Sequence, residues 1–273
     1  MIPMNHFEQF DSYIPIDLTD PWHLGLAFGV LLAIVNFRYF LFVGGFWWLF
    51  YRQPQRMKRS IYKKLPTSAE QRAEIFWSLI SSLIFALVGC LLGLAWQLGK
   101  TQIYLDFRHF GFWYLPFSAV ILAVVHDFYF YWMHRALHHP LAYRWFHRVH
   151  HASIHPSPWA SFSFHPVESF LNAIAVPIIV LVLPLHPLVI LWHLTLMTLT
   201  AITNHLGFEI LPIQNAKNWF VRNVVSGVHH AEHHRYFRSN FGLFFSWWDR
   251  LCRTEQSGFS REYDQVLKDQ PLW

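Results

Sequence analysis

The chain is poor in charge. Only 14% of its 273 residues are Asp, Glu, Lys or Arg, against about 25% in a typical soluble domain. It has two cysteines, Cys90 and Cys252, and no CxxC pair, so neither a zinc ribbon nor an iron–sulfur cluster is encoded, and no disulfide framework is expected. No HExxH occurs, so the zinc-protease arrangement is absent, and so is the paired Glu-x-x-His of soluble di-iron bundles. No Lys or Arg precedes Arg38, the reverse of a signal-peptide n-region, so no cleaved leader is expected. Glycine-rich nucleotide fingerprints, internal repeats and low-complexity segments are also missing.

What the chain has is apolar surface: 54% hydrophobic and 19% aromatic residues, much of it in long runs. That composition predicts an integral membrane protein. The formal charge of +5 could suggest nucleic acid. The cations, however, gather between apolar runs, which membrane topology explains more simply, and no nucleic-acid partner is expected. Trp22 to Tyr51 is the first expected span, ending in the aromatic run Phe46 to Tyr51. Arg38 inside it must snorkel, face the bundle or mark a break. Arg52, Arg56, Lys58, Arg59, Lys63 and Lys64 follow and place that loop in the cytoplasm. Thr67 or Ser68 with Glu70 predicts a capped helix start. A second span is expected over Ile75 to Leu98, and a third over Phe112 to Trp132. Glu168 to Leu183 and Leu188 to Asn204 flank Pro184-Leu185-His186-Pro187 as a thin or re-entrant hairpin.

The expected fold is therefore all-α: about four transmembrane or hairpin spans with a cytoplasmic helical cap. It forms one membrane-embedded domain over 1–273, with residues 255–273 as a cytoplasmic tail. A dilysine signal is absent from the C-terminus, which favours a bacterial inner membrane over endoplasmic reticulum.

The histidines are concentrated. Nine of 19 lie between His126 and His165, and four between His229 and His234. His134 and His138 are one helical turn apart and can reach one metal. His147, His150 and His151 are spaced i, i+3, i+4, as are His230, His233 and His234, so each trio can present nitrogens to a common point. Eight imidazoles exceed the four ligands of one zinc and suit two metals. The carboxylates Asp127, Glu168, Glu209, Glu232 and Asp249 are expected to accept ring N–H groups and orient the ligands. His6, His23, His109, His186 and His193 are read as packing or interface residues. His139, His155 and His229 are read as spacers or solvent-facing groups, while His126 is evenly poised.

These motifs resemble the fatty acid hydroxylase/sterol desaturase superfamily of integral membrane non-haem di-iron enzymes. The resemblance is carried by His126-Asp127-Phe-Tyr-Phe-Tyr-Trp-Met-His134-Arg135-Ala-Leu-His138, by His147-Arg-Val-His150-His151 and by His165-Pro166-Val167-Glu168. Asn204-His205, His230-Ala-Glu-His233-His234, Asn240-Phe-Gly242 and Trp248-Asp249-Arg250-Leu-Cys-Arg-Thr254 continue it. It spans roughly 112–254, and the HX3H form of the first motif is closer to sterol-type members. The resemblance implies two irons on the eight motif histidines, with His165 and His205 as further candidate ligands and Asn204 beside the site. It implies O2-dependent hydroxylation or desaturation of a C–H bond of a membrane lipid (sterol, fatty acyl, sphingoid or ether lipid). Electrons would come from a cytochrome b5-like or ferredoxin-like partner docking on the basic loop 52–66. The competing readings are a bis-His haem or metal-binding electron carrier, which needs one His on each of two facing spans, and a metal transporter, which places ligands at mid-membrane.

Overall fold

The structure is a computed structural model that describes residues 15–53, 60–62, 64–211 and 215–269. Most of the basic loop, including Arg56, Lys58, Arg59 and Lys63, falls outside them, so its expected role lies outside the described residues.

Five apolar helices form the body. Helix α1 spans Pro21–Tyr51 and α2 spans Ser68–Gln97. Helix α3 spans Tyr114–Leu137, α4 spans Pro166–Val180 and α5 spans Pro187–His205. Four of these, all but α4, are long and apolar enough to cross a membrane. At 15 residues, α4 rises only about 22 Å; it packs on α2 and α3 and not along α5, so the two arms do not pair as the expected hairpin.

Local chemistry sets the helix starts. Asp20 caps α1 by accepting from the Trp22 and His23 amides, with Pro21 in the first turn, where its missing N–H costs nothing. Thr67 caps α2 in a reciprocal box with Glu70, as the sequence predicts. His165 and His186 cap α4 and α5, each accepting from an amide two residues on and each followed by proline.

Helix α2 shows how the bundle separates lipid from interior. Leu79, Leu83, Leu87 and Leu91 recur every four residues and are exposed. On the neighbouring face, about 100° round the helix, Ser78, Ser82, Ala86 and Cys90 are buried, the small-residue seam that lets membrane helices approach closely. The Ser78 hydroxyl donates to the Trp159 carbonyl and the Ser169 hydroxyl to Ser81. Between the helices the turn Pro158–Phe162 is wedged against α1, α2 and α5. Glu74 of α2 accepts from the Ser157 hydroxyl at its start.

Helix α1 is unbroken through Arg38, which excludes a helix break there. The aromatic run at its end divides between the outer surface and the interior. Trp48 faces outward, but Phe50 and Tyr51 pack on Phe208, and the Tyr51 hydroxyl donates to the Leu206 carbonyl.

Beyond α5 the chain folds into a helical cap. Helix α6 spans Gly227–Tyr236 and α7 spans Phe259–Asp269. The C-terminal stretch expected as a tail is a packed helix: Phe259, Tyr263, Val266 and Leu267 share one core with Val228, Ala231, Ile61 and Tyr62.

The two faces of α2 should answer differently to substitution. Ala86→Leu should lower thermal stability in detergent by roughly 1–3 kcal/mol through overpacking, whereas Leu87→Ala should stay within about 0.5 kcal/mol. Equal effects on the unfolding midpoint would contradict the assignment of the faces.

Candidate metal centre

Three segments deliver the histidines to one place. Helix α3 runs on to Leu137, so His134 is in its last turn and His138 is its C-cap. The next motif sits on a π-helical turn, Tyr143–His147, followed by one α-turn, Arg148–His151. Such wide turns occur frequently at functional sites. The third motif is on α6, where Ser226 and His229 cap each other reciprocally. That cap accounts for His229, the spacer of the sequence reading.

The structure sorts nine rings into two groups. His134, His138, His147, His151 and His233 form one, and His150, His205, His230 and His234 the other; within each, the candidate ligand atoms lie within 4.8 Å of one another. The i, i+3, i+4 trios do not converge on a common point as expected. His147 and His151 serve one group while His150 turns to the other, and His230 and His234 part from His233 in the same way. The i, i+4 pair shares a face, and the residue between points about 100° away.

His205 joins the second group from the end of α5. His165 stands outside both: its Nδ1 accepts from the Val167 amide and its ring lies against Phe146. With Nδ1 accepting, the neutral ring of this N-cap carries its proton on Nε2 and has no bare lone pair there, so the expected tenth ligand does not join the other nine.

The rings are pinned from behind. His134 Nδ1 donates to the Phe241 carbonyl at 2.9 Å, His205 Nδ1 to Ala201 at 2.7 Å and His233 Nδ1 to Ser239 at 2.7 Å. His150 and His234 donate to Ser163 and Ser153. His147 Nδ1 donates to the Glu168 carboxylate at 2.8 Å. A neutral imidazole that donates from Nδ1 has a bare lone pair at Nε2. His205 and His150 both do so, yet their Nε2 atoms are 3.3 Å apart, so no proton can lie between them. The other close Nε2 pairs lie between 3.0 Å, as in His138–His147 and His205–His230, and 3.2 Å, as in His138–His151. Two nitrogens about 2.1 Å from one ion and at right angles to each other are about 3.0 Å apart. Lone pairs facing one another at this spacing, in a buried site, fit a metal ion in each group.

Burial keeps these rings neutral. It holds His147, His150, His151, His230, His233 and His234 well below the ordinary imidazole value, and neighbouring histidines push them further down.

Of the carboxylates expected to orient rings, only Glu168 accepts a ring N–H. The others hold backbone. Asp249 accepts from the Phe241 and Gly242 amides at 2.8 and 2.9 Å, and Asp127 accepts from the Phe244 amide at 2.7 Å. They fix the loop whose Phe241 carbonyl orients His134. Gly242 is required there, because a Cβ would collide with the Phe245 carbonyl. Glu209 accepts from the Val228 and Leu211 amides. Glu232 accepts from Asn240 and is pushed up to about 7 by burial. Asn204 donates to the Leu243 carbonyl.

His126 and His193 meet inside the bundle, Nδ1 to Nε2 at 2.6 Å, both fully buried. Sequence reasoning missed this pair, whose partners are 67 residues apart. A haem held between two histidines needs its nitrogens about 4 Å apart across the ion, so this pair cannot be the site of the electron-carrier alternative.

A small cleft of about 40 Å³ touches His134, His147, His150, His205 and His230. Beside it runs a larger, mainly apolar cavity of about 190 Å³ between α1, α2, α3, α4 and α5. Phe130, Ser161, Phe164, Ala201 and Leu243 line both.

The family model for fatty acid hydroxylase matches residues 119–254, which contains every one of these histidines. A lathosterol oxidase of Mus musculus is 36% identical over 156 residues, 56% of this chain and 50% of the relative. A Delta(7)-sterol 5(6)-desaturase of Gibberella zeae is 31% identical over 151 residues, covering 55% and 45%. Another of that name from Schizosaccharomyces pombe is 30% identical over 175 residues, covering 64% and 50%. The match thus spans about half the length of these curated relatives. All three are eukaryotic and give the expected bacterial membrane no support. No solved structure matches.

Two outcomes test the centre. His205→Ala should lower bound metal by one ion per chain in elemental analysis, with His165→Ala unchanged; equal losses would contradict the grouping. Below about pH 6.5 the unfolded chain takes up protons that the buried rings refuse, so the unfolded state binds more protons than the folded one. Stability should hold above that pH and fall below it, by about 1.4 kcal/mol per pH unit for each such ring. An unfolding midpoint unchanged between about pH 7.5 and 5 would contradict it.

Proposed function

Because the chain belongs to the fatty acid hydroxylase/sterol desaturase superfamily, we propose that it oxidises a C–H bond of a membrane lipid with O2, at two non-haem irons. The observation that carries this reading is the shared wall: five residues border both the apolar cavity and the histidine cleft. His134, His138, His147, His151 and His233 would hold one iron, and His150, His205, His230 and His234 the other. The irons would supply the redox chemistry that activates O2 and removes hydrogen from an unactivated carbon.

The rest is the work of the chain. The apolar cavity takes up the lipid, and Phe130, Phe164 and Leu243 guide its reacting carbon towards the cleft and keep water out. The Nδ1 donations of His134, His147, His150, His205, His233 and His234 hold their Nε2 atoms in aim, so these rings need no reorganisation when the lipid arrives. Ring neutrality keeps the nitrogens available as ligands.

Hydroxylation consumes O2 with two electrons from outside and leaves an alcohol and one water. Desaturation consumes the same and leaves an alkene and two waters. The electron donor is a separate cytochrome b5-like or ferredoxin-like protein. The basic loop after α1 and the parity of the spans support a cytoplasmic histidine site.

His138→Ala, His150→Ala and His233→Ala should each lose iron and lipid oxidation, the latter by about 100-fold or more, as measured by iron content and by lipidomics of cells expressing each variant. Full iron and full activity in all three would overturn the proposal.

A further inference from the structure

Arg38 is the one charged residue among the described residues lining the apolar cavity. It stands well inside α1, a helix long and apolar enough to cross a membrane. Its Nε is buried and has no hydrogen-bond partner, and no described carboxylate forms an ion pair with it.

The other polar side chains along the cavity each donate to a backbone carbonyl. Ser161 donates to the Pro158 carbonyl, Thr198 to Leu194 and Asn172 to Glu168. Asn36 also has a buried, unpartnered oxygen, but residues two apart on a helix do not face each other. Arginines inside membrane spans are costly and almost always face a bundle interior or cavity and pair there. Arg38 meets the first half of that pattern with nothing to meet the second.

We propose that Arg38 anchors an anionic oxygen group, a carboxylate or a phosphate, on the lipid that occupies this cavity. The proposal rests on the cavity being the substrate's, as read above, and it narrows the substrate class to an acidic lipid. A guanidinium offers five donors and a fixed positive charge, and it matches the fork of a carboxylate or phosphate. A neutral alcohol could accept hydrogen bonds but would leave the charge uncompensated in hydrocarbon.

The position of the anchor suits that role. Tyr39, the next residue on α1, packs in one cluster with Ile202 of α5, which sets the two helices in register. Thr198 and Ala201 line the same cavity as Arg38 and precede His205 by two turns and one turn. Those offsets are about 10 and 6 Å along the helix axis. The anchored group is therefore close to the histidines, and the oxidised carbon belongs near the head of the lipid rather than at its far end. Arg38 also lies outside residues 119–254, the stretch the family model matches. The likeness to sterol oxidases therefore does not fix what this residue meets.

The test uses the full chain in phosphatidylcholine nanodiscs. Radiolabelled myristate, tetradecyl phosphate and tetradecanol are the probes, which share one chain length and differ in the head. The wild type should bind at least one anion about tenfold more tightly than the alcohol. Arg38→Gln should remove that preference by weakening anion binding, with the alcohol unchanged, and Arg38→Lys should restore part of it. Whichever anion binds more tightly identifies the head as carboxylate or phosphate. Equal binding of all three probes by the wild type would overturn the proposal, and so would a preference that survives in Arg38→Gln. Metal content measured on the same samples shows whether the variants fold. Binding does not require turnover, so a chain that binds anions through Arg38 yet oxidises no lipid would refute the function proposed above and leave the anchor standing.

Discussion

The structure depends on a hydrogen bond made on the wrong side of the ring, as seen from the site. Each Nδ1–H that points to a carbonyl or to Glu168 leaves a bare Nε2 pointing inward. A cluster of neutral imidazoles whose lone pairs face each other at about 3 Å is unfavourable unless a cation lies among them. The scaffold tolerates this because the acceptors are backbone carbonyls already fixed by folding. Phe241 and Ser239 lie in the loop after α6, Ala201 in α5, and Ser163 and Ser153 flank the wedged turn.

That dependence gives the remote carboxylates a purpose. Asp127 and Asp249 touch no ring, yet they hold the 241–245 backbone from two sides. Burial raises Asp249, and the amides it accepts from, with Thr254, oppose that rise. Glu168 alone reaches a ligand directly. The carboxylates that help orient the centre are therefore spread over three elements, α3, α4 and the short helix Trp247–Leu251, rather than gathered beside the rings.

The bundle and the cap do different work. The helices separate lipid from a narrow apolar interior, and the small-residue face of α2 lets Pro158–Phe162 enter between them. The cap closes over the histidines with a small core of its own, in which α7 packs on α6. The cavity between α1 and α5 joins the two, ending at the rings on one side and passing Arg38 on another.

The spans were legible in the sequence because apolar run length and proline punctuation act locally. Trp22 to Tyr51 became Pro21–Tyr51, the Thr67–Glu70 cap formed as read, and two apolar helices stand on either side of Leu183 to His186, though they do not pair. The eight motif histidines were legible because i, i+3 and i+4 spacing is a property of one helix turn. What spacing cannot carry is direction in space. Which metal group each ring serves, the entry of His205, the loss of His165 to a helix cap, the His126–His193 pair and the carboxylates that hold backbone instead of rings all depend on contacts between distant segments. The sequence by itself determined that a membrane bundle would present clustered imidazoles at one end. Only the tertiary structure divided them five and four, because that division follows from how α3, the turns over Tyr143–His151, α5 and α6 are brought together.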